Sequence, residues 1–303
     1  HFVTSRVQKL NRSGHSVVVR PVAGHPEYVQ IENITAFDSF SLTLSVKDGS
    51  DMKELFDAIG ATRVEIHHVL GFGTALRDGL AKTGIPHAFY VHDYFTICPQ
   101  VTLTNADGEY CGEPGIRDCD ACISRRPSHG AADIQNWRAR HAWVMQRAEH
   151  VFAPSQDTAR RMSRYSGADV EVVPHEPAVL LEEALPITRT VTAERPLRIV
   201  LLGFLVPHKG KRMVLDVLRH IVSHRIPARV ILVGEAIFSA DEIDGEMGGR
   251  FTSTGRYAEA DLSKLLVDVQ PDLFWFPSTA PETYSFTLSV AMRTGKPIVA
   301  ANH

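Results

Sequence analysis

From residue 60 onward, short apolar runs alternate with longer segments of helical period, and this alternation constrains the fold more than any other feature of the chain. Arg63–His67 reads as a strand, Gly73–Thr83 as a helix closed by Gly84, and His87–His92 as a second strand after Pro86. Ala132–Arg147 reads as a helix, and "HVFAPS" (150–155) as a strand running into a turn. Ser155 is placed to N-cap a helix over Gln156–Ser166, and "DVEVVPH" supplies one more strand. Strands separated by helices cannot pair as tight hairpins. They form parallel sheets with helices on the faces.

The alternation is interrupted once. Residues 176–195 contain prolines and no steady period, as a linker would. Then it resumes with a strand at Arg198–Leu202, the loop "GFLVPHKGK", a helix at Arg212–His224 and a strand at Arg229–Val233. A helix at Ala260–Val269, a strand at Leu273–Phe276, a helix starting near Phe286 and a strand at Ile298–Ala300 complete it. The expected organisation is an α/β domain over 1–175, a linker over 176–195 and a second α/β domain over 196–303. The 303 residues suffice for two hydrophobic cores. The opening "FVTSRVQKLNRSGH" reads as the last turns of a helix closed by Gly14, with a strand at Ser16–Arg20 after it. An α/β domain entered on a helix suggests a piece of a longer protein.

Ligands of open α/β sheets sit beyond the carboxyl ends of the strands, so the loops that follow strands hold the candidate chemistry. In "LLGFLVPHKGK" (201–211), Gly203 lets backbone approach a ligand, and Lys209 and Lys211 bring cations to a helix start. That combination suits a phosphate, although a lysine in such a loop is often only a solvated charge, and the Walker spacing is missing. In "PETYSF" (281–286), Ser285 can cap a helix whose first amides are those of Tyr284, Ser285 and Phe286. Glu282 beside them could accept hydrogen bonds from sugar hydroxyls, or merely complement the helix dipole. "FYVHDYFTICP" (89–99) ends a strand with His92 and Asp93, and "EIHHVLG" (65–71) ends another with His67 and His68.

Composition excludes some alternatives. A formal net charge of −3 gives no general attraction to nucleic acid. No apolar run approaches the ~20 residues of a membrane span, and no signal peptide is apparent in the opening residues. No G-x-G-x-x-G follows a strand, which disfavours a Rossmann dehydrogenase.

The order HH…VHDYF…CP, VFAPS, LLGFLVPHKG and FPSTAPETYSFTLSVAMRTGKPIVA resembles the retaining nucleotide-sugar glycosyltransferases of family 4, from about residue 60 to residue 300. "TGRYAEADLSKLL" (254–266) resembles that family's segment beside the nucleotide base. The resemblance implies the GT-B fold, two Rossmann-like domains facing a central cleft, and sugar transfer with retention, with no metal needed for catalysis. By position it implies that Lys209 contacts the donor diphosphate and Glu282 the donor sugar. His92 would lie near the transferred sugar. The loop residues Thr283, Tyr284, Ser285 and Phe286 would line the diphosphate with Gly203 and Lys211, and Arg256 and Tyr257 would lie near the base. Two positions depart from the pattern: Phe204 stands where the family has an arginine, and Val290 where it has a second, ribose-binding glutamate.

The implied partners are a nucleotide-sugar donor and a glycan or lipid-linked acceptor, in polysaccharide or cell-surface glycan synthesis. The implied location is cytoplasmic. The arginines Arg138, Arg140, Arg147, Arg160, Arg161 and Arg164 read as a solvated face or as a peripheral contact with anionic lipid at the inner face of the membrane. Two other functions fit the same architecture: a non-catalytic sugar- or partner-binding module, or a sugar-nucleotide epimerase with Asp93 as its candidate acid/base.

All four cysteines, Cys98, Cys111, Cys119 and Cys122, fall in one long polar stretch with the spacing C-x12-C-x7-C-x2-C. Residues 93–130 look too irregular for a regular element, apart from a hairpin turn at "NADG" (105–108) that would put Cys111 opposite about Thr104. A structural tetrahedral zinc site, with His129 as a substitute ligand, free thiols, or disulfides are all open; a reducing compartment disfavours the last.

Overall fold

The computed structural model describes residues 2–11, 14–34, 39–175, 190–238, 242–243 and 245–302. Most of the expected linker, 176–189, lies outside the described residues. Contacts divide the chain into two units, His1–Pro99 with Ala131–His175, and Gln100–Gly130 with Glu176–His303. The cysteine-bearing stretch, expected in the N-terminal domain, therefore groups with the second unit from Gln100 to Gly130.

The chain begins with α1 (Phe2–Leu10), β1 (Val18–Val22), β2 (His25–Ile34), β3 (Ser39–Ser45) and α2 (Gly49–Ala58). The three strands pair antiparallel in sequence order. Along β2, Val29 and Ile31 are buried while Tyr28 is exposed, the period-two pattern of a sheet with one wet face. Asp48 caps α2, its carboxylate accepting hydrogen bonds from the amides of Ser50 and Asp51.

Next come β4 (Val64–Ile66), α3 (Ala75–Thr83) and β5 (His87–Tyr90). α3 ends at Gly84, which is left-handed as expected. The stretch 100–130, expected to be irregular, holds α4 (Ile116–Arg125). Its signal lay in Cys119, Cys122 and Ile123, which share the i, i+3, i+4 spacing of Ile116 once cysteine is counted as apolar. The expected helix 132–147 is instead two, α5 (Ile134–His141) and α6 (Trp143–Gln146). Ala142 between them keeps helical dihedrals, so only the hydrogen-bond pattern breaks there. The unit closes with β6 (His150–Ala153), α7 (Gln156–Ser166) and β7 (Glu171–Val172). Ser155 Oγ accepts from the Thr158 amide, the expected N-cap of α7. The strands β4, β5, β6 and β7 are neighbours in that order and all parallel.

The second unit comprises β8 (Leu197–Leu205), α8 (Lys211–Ser223), β9 (Ala228–Ala236), α9 (Gly245–Gly248) and β10 (Phe251–Ser253). It continues with α10 (Leu262–Val269), β11 (Leu273–Phe276), α11 (Phe286–Arg293) and β12 (Ile298–Ala300). Its parallel sheet has the order β10-β9-β8-β11-β12. The central strand β8 carries the continuous apolar run Ile199–Leu202 because both its faces are covered there. Val200 and Leu202 pack with Phe274, Leu262, Leu266 and Val290 on one side. Leu201 and Leu205 pack with Val214, Leu218 and Leu232 on the other. Each such side chain, fully buried, contributes about 1.5–3 kcal/mol. Chain order reverses between β8 and β11, which run side by side although α8, β9, α9, β10 and α10 separate them in sequence. That is the switch point where open α/β sheets leave a crevice at the strands' carboxyl ends.

Candidate active site

The crevice beyond β8 and β11 is bounded by the loops that follow those strands. After β8, Val206 leads into a single 3-10 turn, Pro207–Lys209, and Gly210 then opens α8. Gly210 has φ +84°, and a Cβ there would lie 2.0 Å from the carbonyl oxygen of Pro277, which follows β11. Only glycine permits this approach, and the approach seats the turn bearing Lys209 against the loop bearing Glu282. Two further bonds tie the loops, from the Thr279 amide to the His208 carbonyl at 2.9 Å and from Ser278 Oγ to the same oxygen at 3.3 Å. Lys209 Nζ consequently lies 3.9 Å from Glu282 Oε1. Both are partly exposed, so the pair adds little to stability and is available to a ligand.

The loop after β11 ends at Ser285, whose Oγ accepts from the Leu288 amide and caps α11. The first amides of a helix have no acceptor within it, and the dipole adds positive potential, so this end of α11 suits an anion. The Tyr284 hydroxyl is held by Ser289 Oγ at 2.7 Å. Gly203 in β8 has φ +100° and pairs with Gly234 of β9, whose own Cβ would strike the Gly203 carbonyl at 1.9 Å. A shallow pocket lies here, lined by Leu205, Lys209, Trp275, Ser278, Glu282 and Thr287.

Other expected members sit apart. Lys211 Nζ pairs with Glu242 at 2.9 Å and stands over the Phe238 ring, so its charge is used within the protein. Arg256 pairs with Glu235 at 2.7 Å on an exposed surface, while Tyr257 packs on the apolar cluster beneath β8. Phe204 is exposed. Val290 is 4% exposed on the buried side of α11. His208, Gly210, Gly234 and Thr279 were missed. The glycines were visible in the sequence, but their close approaches join residues up to 67 positions apart.

In the first unit, the histidines at the strand ends do meet. His67 Nδ1 lies 2.9 Å from His92 Nε2, and their rings stack. Burial, reinforced by neighbouring Arg6 and His175, brings His67 down to about 4. Burial, with His67 and His175 beside it, brings His92 down to about 3. Both are neutral near pH 7, able to donate and accept single hydrogen bonds to uncharged hydroxyls. Asp93 accepts from the Phe95 amide at 2.8 Å and pairs with His68 at 3.1 Å, commitments that fit a structural carboxylate better than an epimerase acid/base.

Among the described residues no group of three or more His, Cys, Asp or Glu side chains is arranged to hold a metal ion, and none of the four cysteines is in a disulfide. Cys119 and Cys122 lie one turn apart on α4, with Cys119 Sγ directed to the Pro114 carbonyl, while Cys111 lies outside the helix, directly after the bridging residue Tyr110. The hairpin register also differs by one from expectation. Thr104 faces Tyr110, because Asn105 Oδ1 accepts from the Asp107 and Glu109 amides and closes a five-residue loop.

Comparison with known proteins now decides the family. The model for Glycosyltransferase Family 4 matches residues 2–175, more than half of the chain. The chain belongs to glycosyltransferase family 4. Among curated proteins none matches it in sequence. Solved structures similar to it include HepE of Anabaena in complex with UDP, at 16% identity over 83% of this chain and 63% of that one, with a TM-score of 0.50. A mutant of S. aureus TarM in complex with Fondaparinux, alpha-GlcNAc-glycerol and UDP is similar at 10% identity, over 95% of this chain and 62% of that one, with a TM-score of 0.54. These likenesses show the GT-B type of α/β fold. The family 4 chain described here spans under two thirds of either of these two structures' length.

Proposed function

We propose that the chain carries most of a retaining glycosyltransferase that moves a sugar from a nucleotide-sugar donor to a glycan or lipid-linked acceptor. The observation that carries this reading is the pairing of Lys209 and Glu282, 3.9 Å apart, beside the N-terminus of α11 at the sheet's switch point. Breaking the bond from the anomeric carbon to the diphosphate leaves negative charge on the departing oxygen. Lys209 and the first amides of α11 meet that charge as it develops, which lowers the barrier more than it tightens ground-state binding. Glu282 accepts hydrogen bonds from the donor sugar's hydroxyls. His92, neutral, is suited to a sugar hydroxyl. The UDP bound by HepE and TarM makes uracil the first base to test.

The test is a thermal-shift panel of UDP-, GDP-, ADP- and dTDP-sugars against the protein, with Lys209→Ala and Glu282→Ala beside it. Donor at a hundred times its Kd stabilises by about 2.7 kcal/mol. One base should give a shift that both variants lose, and turnover of Lys209→Ala should fall at least about tenfold. Turnover unchanged in that variant would sink the mechanism.

No helix among the described residues is long and apolar enough to cross a membrane. The proposal extends to peripheral contact with anionic lipid through the arginine stretch. Arg160 and Arg161 both pair with Asp157, and Arg138 and Arg164 lie over the Tyr165 ring. Sedimentation with anionic vesicles at low salt tests it; a protein left in the supernatant ends it.

A further inference from the structure

The stretch 100–130 packs with the unit that holds the candidate donor site, and its contacts fall on the two loops of that site. The hairpin closed by the Thr104–Tyr110 bridge reaches the loop after β11. The Tyr110 amide donates to the Thr279 carbonyl at 3.1 Å. Thr279 Oγ1 lies 3.3 Å from the Gly108 carbonyl and 3.1 Å from the His208 carbonyl, so its hydroxyl can donate to either loop. The hairpin also reaches the turn itself, since a Cβ at Gly108 would sit in ordinary contact with Pro207, 3.5 Å away. Arg126, at the end of α4, braces the hairpin from behind, its Nη1 donating to Thr104 Oγ1 and to the Asn105 carbonyl, each at 3.2 Å.

Thr279 is thus the point where three segments meet: the hairpin, the turn bearing Lys209 and the loop bearing Glu282. We infer that this hairpin is a built-in clamp of the donor site, and that Thr279 is a positioning residue that sets the Lys209–Glu282 spacing through Gly108 and His208. The inference rests on the donor-site reading above and extends it to a segment far removed in sequence. Thr279 touches no reacting atom. Its hydroxyl holds the two loops in register, so the charge that meets the diphosphate is already in place when donor arrives.

The experiment compares Thr279→Val, which keeps the shape and removes the hydroxyl, with Thr279→Ser, which keeps the hydroxyl. Asn105→Ala, which loosens the hairpin without touching either loop, is the second perturbation. Donor affinity by calorimetry, donor KM, kcat and the thermal midpoint without donor are measured for each. One lost hydrogen bond of ordinary strength should weaken donor binding about tenfold in Thr279→Val. The expected pattern is a raised donor KM with a smaller change in kcat, the same direction in Asn105→Ala, rescue in Thr279→Ser, and a donor-free midpoint close to wild type. If wild type binds donor and Thr279→Val binds it within twofold of wild type, the clamp is overturned while the donor site stands. If wild type binds no nucleotide sugar at all, the functional reading falls and the clamp with it.

Discussion

Replacing Gly210 by alanine tests the core of the site, because the cost can be split into two parts that a control separates. The first part is conformational: at φ +84° an L residue is left-handed, which costs roughly 1–2 kcal/mol. The second is steric. The new methyl would lie 2.0 Å from the Pro277 carbonyl oxygen, so the two loops must part by roughly 1.4 Å before ordinary contact at 3.4 Å is restored. Gly295, in the same unit, has φ +70° and nothing within 4 Å of its Cβ position. Gly295→Ala therefore carries the conformational cost alone. Both variants should lose a few degrees of thermal midpoint, at about 2–4 °C per kcal/mol. Only Gly210→Ala should damage the site, because a displacement of about 1 Å between catalytic groups is worth about a hundredfold in rate. Steady-state kinetics with donor varied, and calorimetric donor titration, read the difference. Equal kcat/KM in Gly210→Ala and Gly295→Ala would refute the claim that this close approach sets the spacing of Lys209 and Glu282.

Two further outcomes are expected. Acid should weaken the first unit through His67 and His92: unfolded imidazoles take up protons near pH 6.5, while the folded ones stay neutral down to about 4 and 3. Stability present above pH 6.5 is therefore lost as pH falls through that window; replacing His67 by glutamine should recover up to ~3 kcal/mol of the loss seen between pH 7 and pH 4 in denaturant titrations, and an unchanged pH slope would count against the buried pair. Val290→Glu should fail to restore a ribose contact: it places a carboxylate among Phe274 and Leu266, both fully buried, at a cost of several kcal/mol, and a normal thermal midpoint with tighter nucleotide binding would show that Val290 faces the ligand instead.

The two parallel sheets were legible because they rest on local patterns. β11 and β12 match the expected Leu273–Phe276 and Ile298–Ala300, and the caps at Gly84, Ser155 and Ser285 fall where the sequence places them. A cap needs only a hydroxyl or a glycine within one turn of the helix it closes. The region before residue 60 was poorly read because its signal is of another kind. The meander β1–β3 is antiparallel and half wet, with charged and apolar residues interleaved in "HPEYVQIENI", and its register depends on pairings across strands. α4 was hidden because Cys119 and Cys122, half-buried beside the buried Ile123, were presented by the spacing C-x2-C as ligands rather than as part of an apolar face.

The candidate site divides along the same line. Lys209, Glu282 and Ser285 could be named from residue chemistry, since a cation, a carboxylate and a cap announce themselves one at a time. Their arrangement could not, because it depends on what lies opposite. Gly210 matters for an oxygen on Pro277, Gly234 for the Gly203 carbonyl, and Thr279 for carbonyls on Gly108 and His208. None of these residues has a functional side chain of its own beyond one hydroxyl. The same logic accounts for the surroundings of Lys211 and Val290: Lys211 is drawn to Glu242, and Val290 faces inward because α11 must cover β11 with its apolar stripe. The proposed donor site is thus a pair of ordinary charges whose spacing is set by backbone contacts, and substitutions at the silent contacts should injure donor binding as severely as substitutions at the charges themselves.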